Sequence, residues 1–209
     1  MIIRLRTRSL VWPWITNLNT PWIALKKFWK LIMNIFYLEH DVKDCAKMHV
    51  DKHCVKMILE YAQLLSTAHR VIDGIKTVGV SIKTGRKQTR YVLPDNRESS
   101  LYSATHVNHP SSIWTRHGSS NYAWLFEMFV TLMDEYTYRY GKVHATSRLT
   151  EHLSHPPKNI VEGSFTQPTP AMPAQYKVFG DSIKSYRNYY LGEKRRMFSW
   201  KHREVPAWV

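Results

Sequence analysis

His49-Val50-Asp51-Lys52-His53-Cys54-Val55-Lys56-Met57-Ile58-Leu59-Glu60-Tyr61-Ala62-Gln63-Leu64-Leu65-Ser66-Thr67-Ala68-His69-Arg70 is the stretch on which the fold turns. It holds neither Gly nor Pro, and its apolar residues recur at helical spacing. At about 100° per residue, Val50, Cys54, Met57, Ile58, Tyr61, Leu64 and Leu65 share one broad face, which Met48, Val55, Leu59 and Ala62 extend. Asp41 can cap such a helix and Gly74 can stop it, so the pattern predicts one helix over residues 42–71. What remains is a narrow polar stripe. Within it His49, His53, Lys56 and Glu60 are spaced i, i+4, i+7 and i+11 and stand in one row. With most of the circumference apolar, that row is either the helix's solvent strip or the floor of a cleft.

Three chemistries fit the row. A solvated strip would pair Lys56 with Glu60 in the ordinary i,i+4 manner. A catalytic row would use Glu60 as acid or base, Lys56 or Lys52 as an amine nucleophile, and His49 and His53 as orienting groups. A metal site would use His49 and His53, which at i,i+4 both reach one ion. No HExxH motif and no third ligand accompany that pair, and the sequence calls for no cofactor. The pairs His106/His109 and His152/His155 fall in or near loops.

Outward from this helix, residues 34–38 read as a short strand or a buried extended segment. Residues 75–100 read as a basic loop or loose hairpin around Lys83, Arg86, Lys87 and Arg90. Residues 103–118 read as a loop. A second helix over residues 121–140 is capped by Ser119 or Ser120, buries Leu125, Phe129, Leu132 and Met133, and ends at Gly141. A short helix over 144–151, a proline-rich loop over 155–174 and a helix over 174–190 follow. This is the pattern of a mainly α, single domain with two long helices, long ordered loops and a basic aromatic C-terminus.

Composition fits a nucleic-acid partner. The 209 residues carry 30 Lys and Arg against 16 Asp and Glu, a net charge of +14, with 44 % hydrophobic and 13 % aromatic residues. That excludes a disordered basic tail. Cys45 and Cys54 are too few for a disulfide scaffold and read as reduced thiols in a cytoplasmic setting. Arg116, Arg187, Lys194, Arg195 and Arg196 are candidate phosphate contacts. Trp114, Tyr189 and Trp200 are candidate stacking platforms, because cations interleaved with rings suit a backbone-tracking groove.

Residues 1–32 stand apart. They hold Arg4, Arg6, Arg8, Lys26, Lys27 and Lys30, no acid, and four of the eight Trp. Pro13, Asn17, Asn19 and Pro21 interrupt their apolar run, so it makes a poor membrane span. The stretch reads as an upstream extension before a natural start at Met33, an interfacial anchor, or a basic arm on nucleic acid.

The block Met33-Asn34-Ile35-Phe36-Tyr37-Leu38-Glu39-His40-Asp41, with His49 to Glu60 and Gln63 to Arg70, resembles a family of small proteins from tailed phages, cyanophages included. The likeness runs from Met33 to the C-terminus and implies an infected host cell as the setting. The layout is also similar to phage pyrimidine-dimer DNA glycosylases. These have a first long helix with a His, basic residues and a catalytic Glu, a second helix after a loop, and a basic aromatic C-terminus, here Tyr186 to Trp200. In that family the N-terminal amine attacks the sugar C1′ and the helix Glu assists, which implies that role for Glu60. This chain departs from the pattern. Starting at Met1 it has no free amine at Met33, and a start at Met33 would keep its Met before Asn34. Lys52 or Lys56 would then have to replace the amine. The expectation is a DNA-binding phage protein, a glycosylase or lyase or other base-processing enzyme. The alternatives are a non-catalytic nucleic-acid-binding accessory protein and a His-ligated metal-dependent hydrolase.

Overall fold

The computed structural model describes residues 33–82 and 84–209. The expectations for residues 1–32 lie outside the described residues. The described part is mainly helical. Helices α1 (Val42–Met48) and α2 (Asp51–Asp73) are followed by a hairpin of β1 (Ile75–Val80) and β2 (Lys87–Val92). Then come α3 (Arg97–Ser100), α4 (Pro110–Thr115), α5 (Ser119–Tyr140), α6 (Thr150–Ser154) and α7 (Ser182–Tyr189). A single π-helical turn, Tyr190–Lys194, and a 3-10 turn, Arg195–Met197, extend α7. Among the described residues no helix is long and apolar enough to cross a membrane.

The core forms where α2 packs on α5. Cys54, Met57, Ile58, Tyr61, Leu64 and Leu65 meet Leu125, Phe129 and Leu132, all buried. Residues 33–38 are a buried extended segment without strand pairing, threaded against this core. Cys45 and Cys54 are both free and buried.

The predicted single helix over 42–71 is two helices. His49 and Val50 take extended backbone conformations and separate α1 from α2. The break is made by distant residues. Arg139, fully buried, donates from Nη1 to the His49 carbonyl and from Nη2 to the Lys47 carbonyl, each at 2.8 Å. It thereby satisfies carbonyls left open at the end of α1. Asp51 opens α2, and its backbone N–H donates to the Ser199 carbonyl at 2.8 Å. Its carboxylate accepts from Arg139, Ser199 and the backbone of Lys201.

Smaller differences have equally local causes. The N-cap of α5 is Gly118 rather than Ser119 or Ser120, while Gly141 ends the helix at φ 63° in the left-handed region, as a C-terminal glycine does. The loop over 103–118 contains α4, whose His109 ring accepts from the Ser111 N–H ahead of Pro110 in the first turn. The short helix over 144–151 is a 3-10 turn, Ala145–Leu149, running into α6. The helix over 174–190 is reduced to a 3-10 turn and α7, because the chain reverses at Val178–Asp181 with Gly180 at φ 72°.

Candidate functional site

The solvent strip of α2 runs through Lys52, Val55, Lys56 and Leu59, with Val55 39 % and Leu59 38 % exposed. The predicted polar row therefore lies about one residue around the helix from the true strip, and most of it faces inward. His53 is the clearest case. Its ring stacks on Phe36 at 4.2 Å between centroids, and its Nδ1 shares a 2.6 Å hydrogen bond with the Tyr190 hydroxyl. His49 shares hydrogen bonds with the Cys45 carbonyl at 2.8 Å and the Tyr61 hydroxyl at 3.2 Å. Burial holds His49 down to about 4 and His53 well below the usual imidazole range. Both rings are core side chains with partners, and neither orients a group at the surface. Among the described residues no group of three or more His, Cys, Asp or Glu converges as a metal site would.

Glu60 differs from both histidines. It is 1 % exposed, and neither carboxylate oxygen has a hydrogen-bond partner of good geometry. Lys56 reaches in from the half-exposed strip and places Nζ 2.8 Å from Oε1 as an i,i+4 ion pair. Burial raises the Glu60 carboxyl above the ordinary carboxylate range, and outweighs the opposing pull of Lys56, the Asn34 backbone N–H and His106. Beside it the Asn34 Oδ1 is also buried without a partner. His106, on the loop above, stands at φ 48°, a left-handed conformation that costs a non-glycine residue about 1 kcal/mol. A buried carboxylate with so few partners costs stability, and groups with displaced pKa values concentrate at functional sites.

A second lysine borders this group. Lys194, on the π-turn after α7, sits 4.5 Å over the Tyr189 ring, with Nζ 3.2 Å from its hydroxyl. Burial draws Lys194 below the ordinary lysine value, and the positive charges of Lys56 and Arg196 act in the same direction. The same Lys194 and Lys56 charges act on His53. Lys56, Lys194 and Arg196 thus lie close enough to form one basic cluster that includes the partner of Glu60. Lys52, one turn before Lys56, is exposed on the same strip.

Of the predicted nucleic-acid contacts, Lys194, Arg195 and Arg196 stay together on the turns after α7, and Arg195 and Arg196 are exposed. The others are engaged in the fold. Trp114 is buried and donates from Nε1 to the Thr166 carbonyl at 3.0 Å. Trp200 is buried and donates to the Met48 carbonyl at 2.9 Å, which seals the α1/α2 break. Tyr189 is buried under Lys194. Arg187 binds the Leu38 carbonyl and the Glu39 carboxylate, and Arg116 donates to Ser112. Asn34 and His106 were not expected at the site. Nothing local marks either, because each is brought there by its packing on α2.

Two surface cavities lie elsewhere. One of about 670 Å³ is lined by Gln167–Pro170 and Lys177–Ser182. Another of about 400 Å³ is lined by Glu39, His40, Asp181 and Arg187, among others. Neither includes Lys56 or Glu60. No protein-family model, no curated protein and no solved structure matches this chain.

Proposed function

We propose that this protein is a DNA-binding, base-processing enzyme of the glycosylase/lyase type, with Lys56 as the attacking amine and Glu60 as the acid/base. The observation that carries the reading is the Lys56–Glu60 pair. Its carboxylate is buried and raised, lacks other good partners, and meets the amine at 2.8 Å. A buried carboxylate accepts a proton more readily than an exposed one, so it can free the lysine amine. The amine then attacks C1′ of a deoxynucleoside. The C1′–base bond breaks as the N–C1′ bond forms, and Glu60 returns the proton to the departing base. The C1′–O4′ bond then breaks as the nitrogen lone pair forms the C=N bond, and a proton of the attacking nitrogen passes to O4′, which leaves a protonated imine at C1′. Lys194 and Arg196 hold flanking phosphates. The proposal takes the cytoplasm of an infected cell as its setting, which is what a resemblance of Met33 onward to tailed-phage proteins would imply.

Borohydride reduces an imine to a stable amine and so tests the step. A covalent adduct with DNA bearing an abasic site is expected in the parent. It is expected to be lost in Lys56→Ala, and nearly lost in Glu60→Gln with binding retained. An adduct that survives in Lys56→Ala moves the nucleophile elsewhere. No adduct across abasic and damaged substrates ends the enzymatic reading.

A further inference from the structure

Among the described residues, the β1–β2 hairpin is a ribbon whose strand side chains are nearly all exposed on both faces. Its register is regular, from Ile75 opposite Val92 to Val80 opposite Lys87. All but one of its strand residues are exposed, with Val78 at 57 % and Val80 at 70 %. An isolated two-stranded ribbon is marginal in water, and exposed β-branched side chains invite a partner.

The root of the ribbon is built firmly all the same. Arg70, buried at the end of α2, donates to the carbonyls of Tyr91, Glu98, Leu101 and Tyr102 and pairs with the Glu98 carboxylate. Glu98 also accepts from the Leu93 N–H just beyond β2. The ribbon is therefore carried on a fixed mount.

Its chemistry selects the partner. Between Ile75 and Pro94 the sequence holds Lys76, Lys83, Arg86, Lys87 and Arg90 and no acid. Cross-strand partners share a face, so Lys76/Tyr91, Val78/Thr89 and Val80/Lys87 make one mixed apolar and basic face. A second copy of this chain would bring like charge against like along both edges, and edge lysines oppose such pairing. A polyanion meets the charge instead. Strands of this length span about 20 Å, and the B-form major groove, about 12 Å wide, admits a two-stranded ribbon. Valine and threonine methyls suit thymine methyls on the groove floor, while the cations reach the phosphate walls.

We propose that the β1–β2 ribbon is a duplex-binding element that enters the major groove of double-stranded nucleic acid. This rests on the nucleic-acid reading above and adds to it a duplex and a contact surface apart from Lys56 and Glu60.

The test uses the full chain and a short mixed-sequence duplex, with the same sequence single-stranded as comparison. One variant is the triple substitution Lys76→Gln, Arg86→Gln and Lys87→Gln. A second replaces residues 79–88 by Asn-Gly, which closes Val78 and Thr89 with a two-residue turn and keeps the Arg70 mount. Both are expected to keep the parental Tm, since none of the described residues they change is buried. Duplex affinity is expected to fall about 100-fold in the triple variant, and the slope of log K against log salt by about 3. Single-strand binding is expected to change much less. Unchanged duplex affinity in both variants overturns the ribbon while leaving salt-dependent binding by the parent, and so the broader reading, intact. Equal losses on duplex and single strand overturn the groove assignment. A parent that dimerises through the ribbon, with the shortened variant monomeric, overturns it in favour of a second copy. A parent that binds no nucleic acid removes both readings together.

Discussion

Glu135 on α5 and Glu60 on α2 are both buried carboxylates in the same small domain, yet their surroundings are opposite. Glu135 accepts from Arg139 at 2.7 Å and from Arg203 at 3.0 and 2.8 Å. Burial pushes its carboxyl up, but the hydrogen bonds from the two arginines outweigh burial and hold it below the ordinary range. Glu60 has one half-exposed lysine, and there burial prevails. A carboxylate ringed by planar guanidinium groups is a strut of the fold. A carboxylate left with one half-exposed lysine is the kind that the proposed acid/base role requires. Burial alone does not make a functional candidate; burial with few partners does.

Removing each charge sharpens the contrast. Glu135→Gln leaves Arg139 buried against a neutral amide, and a loss of about 3–5 kcal/mol is expected in urea unfolding. A loss below 1 kcal/mol would break the comparison. Acid titration comes next. The lowered pKa values of His49 and His69, each about 4, mean that the unfolded chain takes up protons first as pH falls. Stability is then lost between about pH 6.5 and 4, by up to about 3 kcal/mol per ring. His49→Gln is expected to flatten that limb, and a limb as steep as the parent's would contradict this.

The smallest effect is expected at Glu60. Its folded pKa lies above the unfolded one, so within that window the folded state holds a proton that the unfolded state has lost. Stability therefore falls as pH rises through the window. Glu60→Gln is expected to change stability at neutral pH by less than about 1 kcal/mol and to remove this slope. Glu135 has the opposite sign, its stabilisation being lost as pH falls through its depressed folded value. Identical pH profiles for the two Gln variants would erase the distinction.

Much of the fold was legible in local pattern. The apolar faces of α2 and α5 and the stops at Gly74 and Gly141 follow from spacing and turn chemistry, while the hairpin was one of two readings open for residues 75–100. What was not legible is made by distant residues. The His49–Val50 break depends on Arg139 and Ser199, and a helical wheel holds no trace of either. The wheel also placed Val55 and Leu59 inside and the His53–Glu60 row on the polar side. The packing of Phe36 and Tyr190 reverses that, since aromatic partners shelter an imidazole as readily as an aliphatic face does. At the site, the Lys56–Glu60 pairing was readable from i,i+4 spacing, but the burial of Glu60 was not. Trp114 and Trp200 were misread because an indole in a loop looks the same whether its N–H meets solvent or a carbonyl.

The clamp of Ser199, Trp200 and Lys201 on the α1/α2 break has a consequence for synthesis. These residues leave the ribosome roughly 150 positions after the junction they close. Until then a nascent chain carries Asp51 and the Met48 carbonyl without their final partners. Helix α2 can wind early, but the bend at its start can be fixed only late, so folding of this domain is expected to finish only after residues 199–201 have emerged.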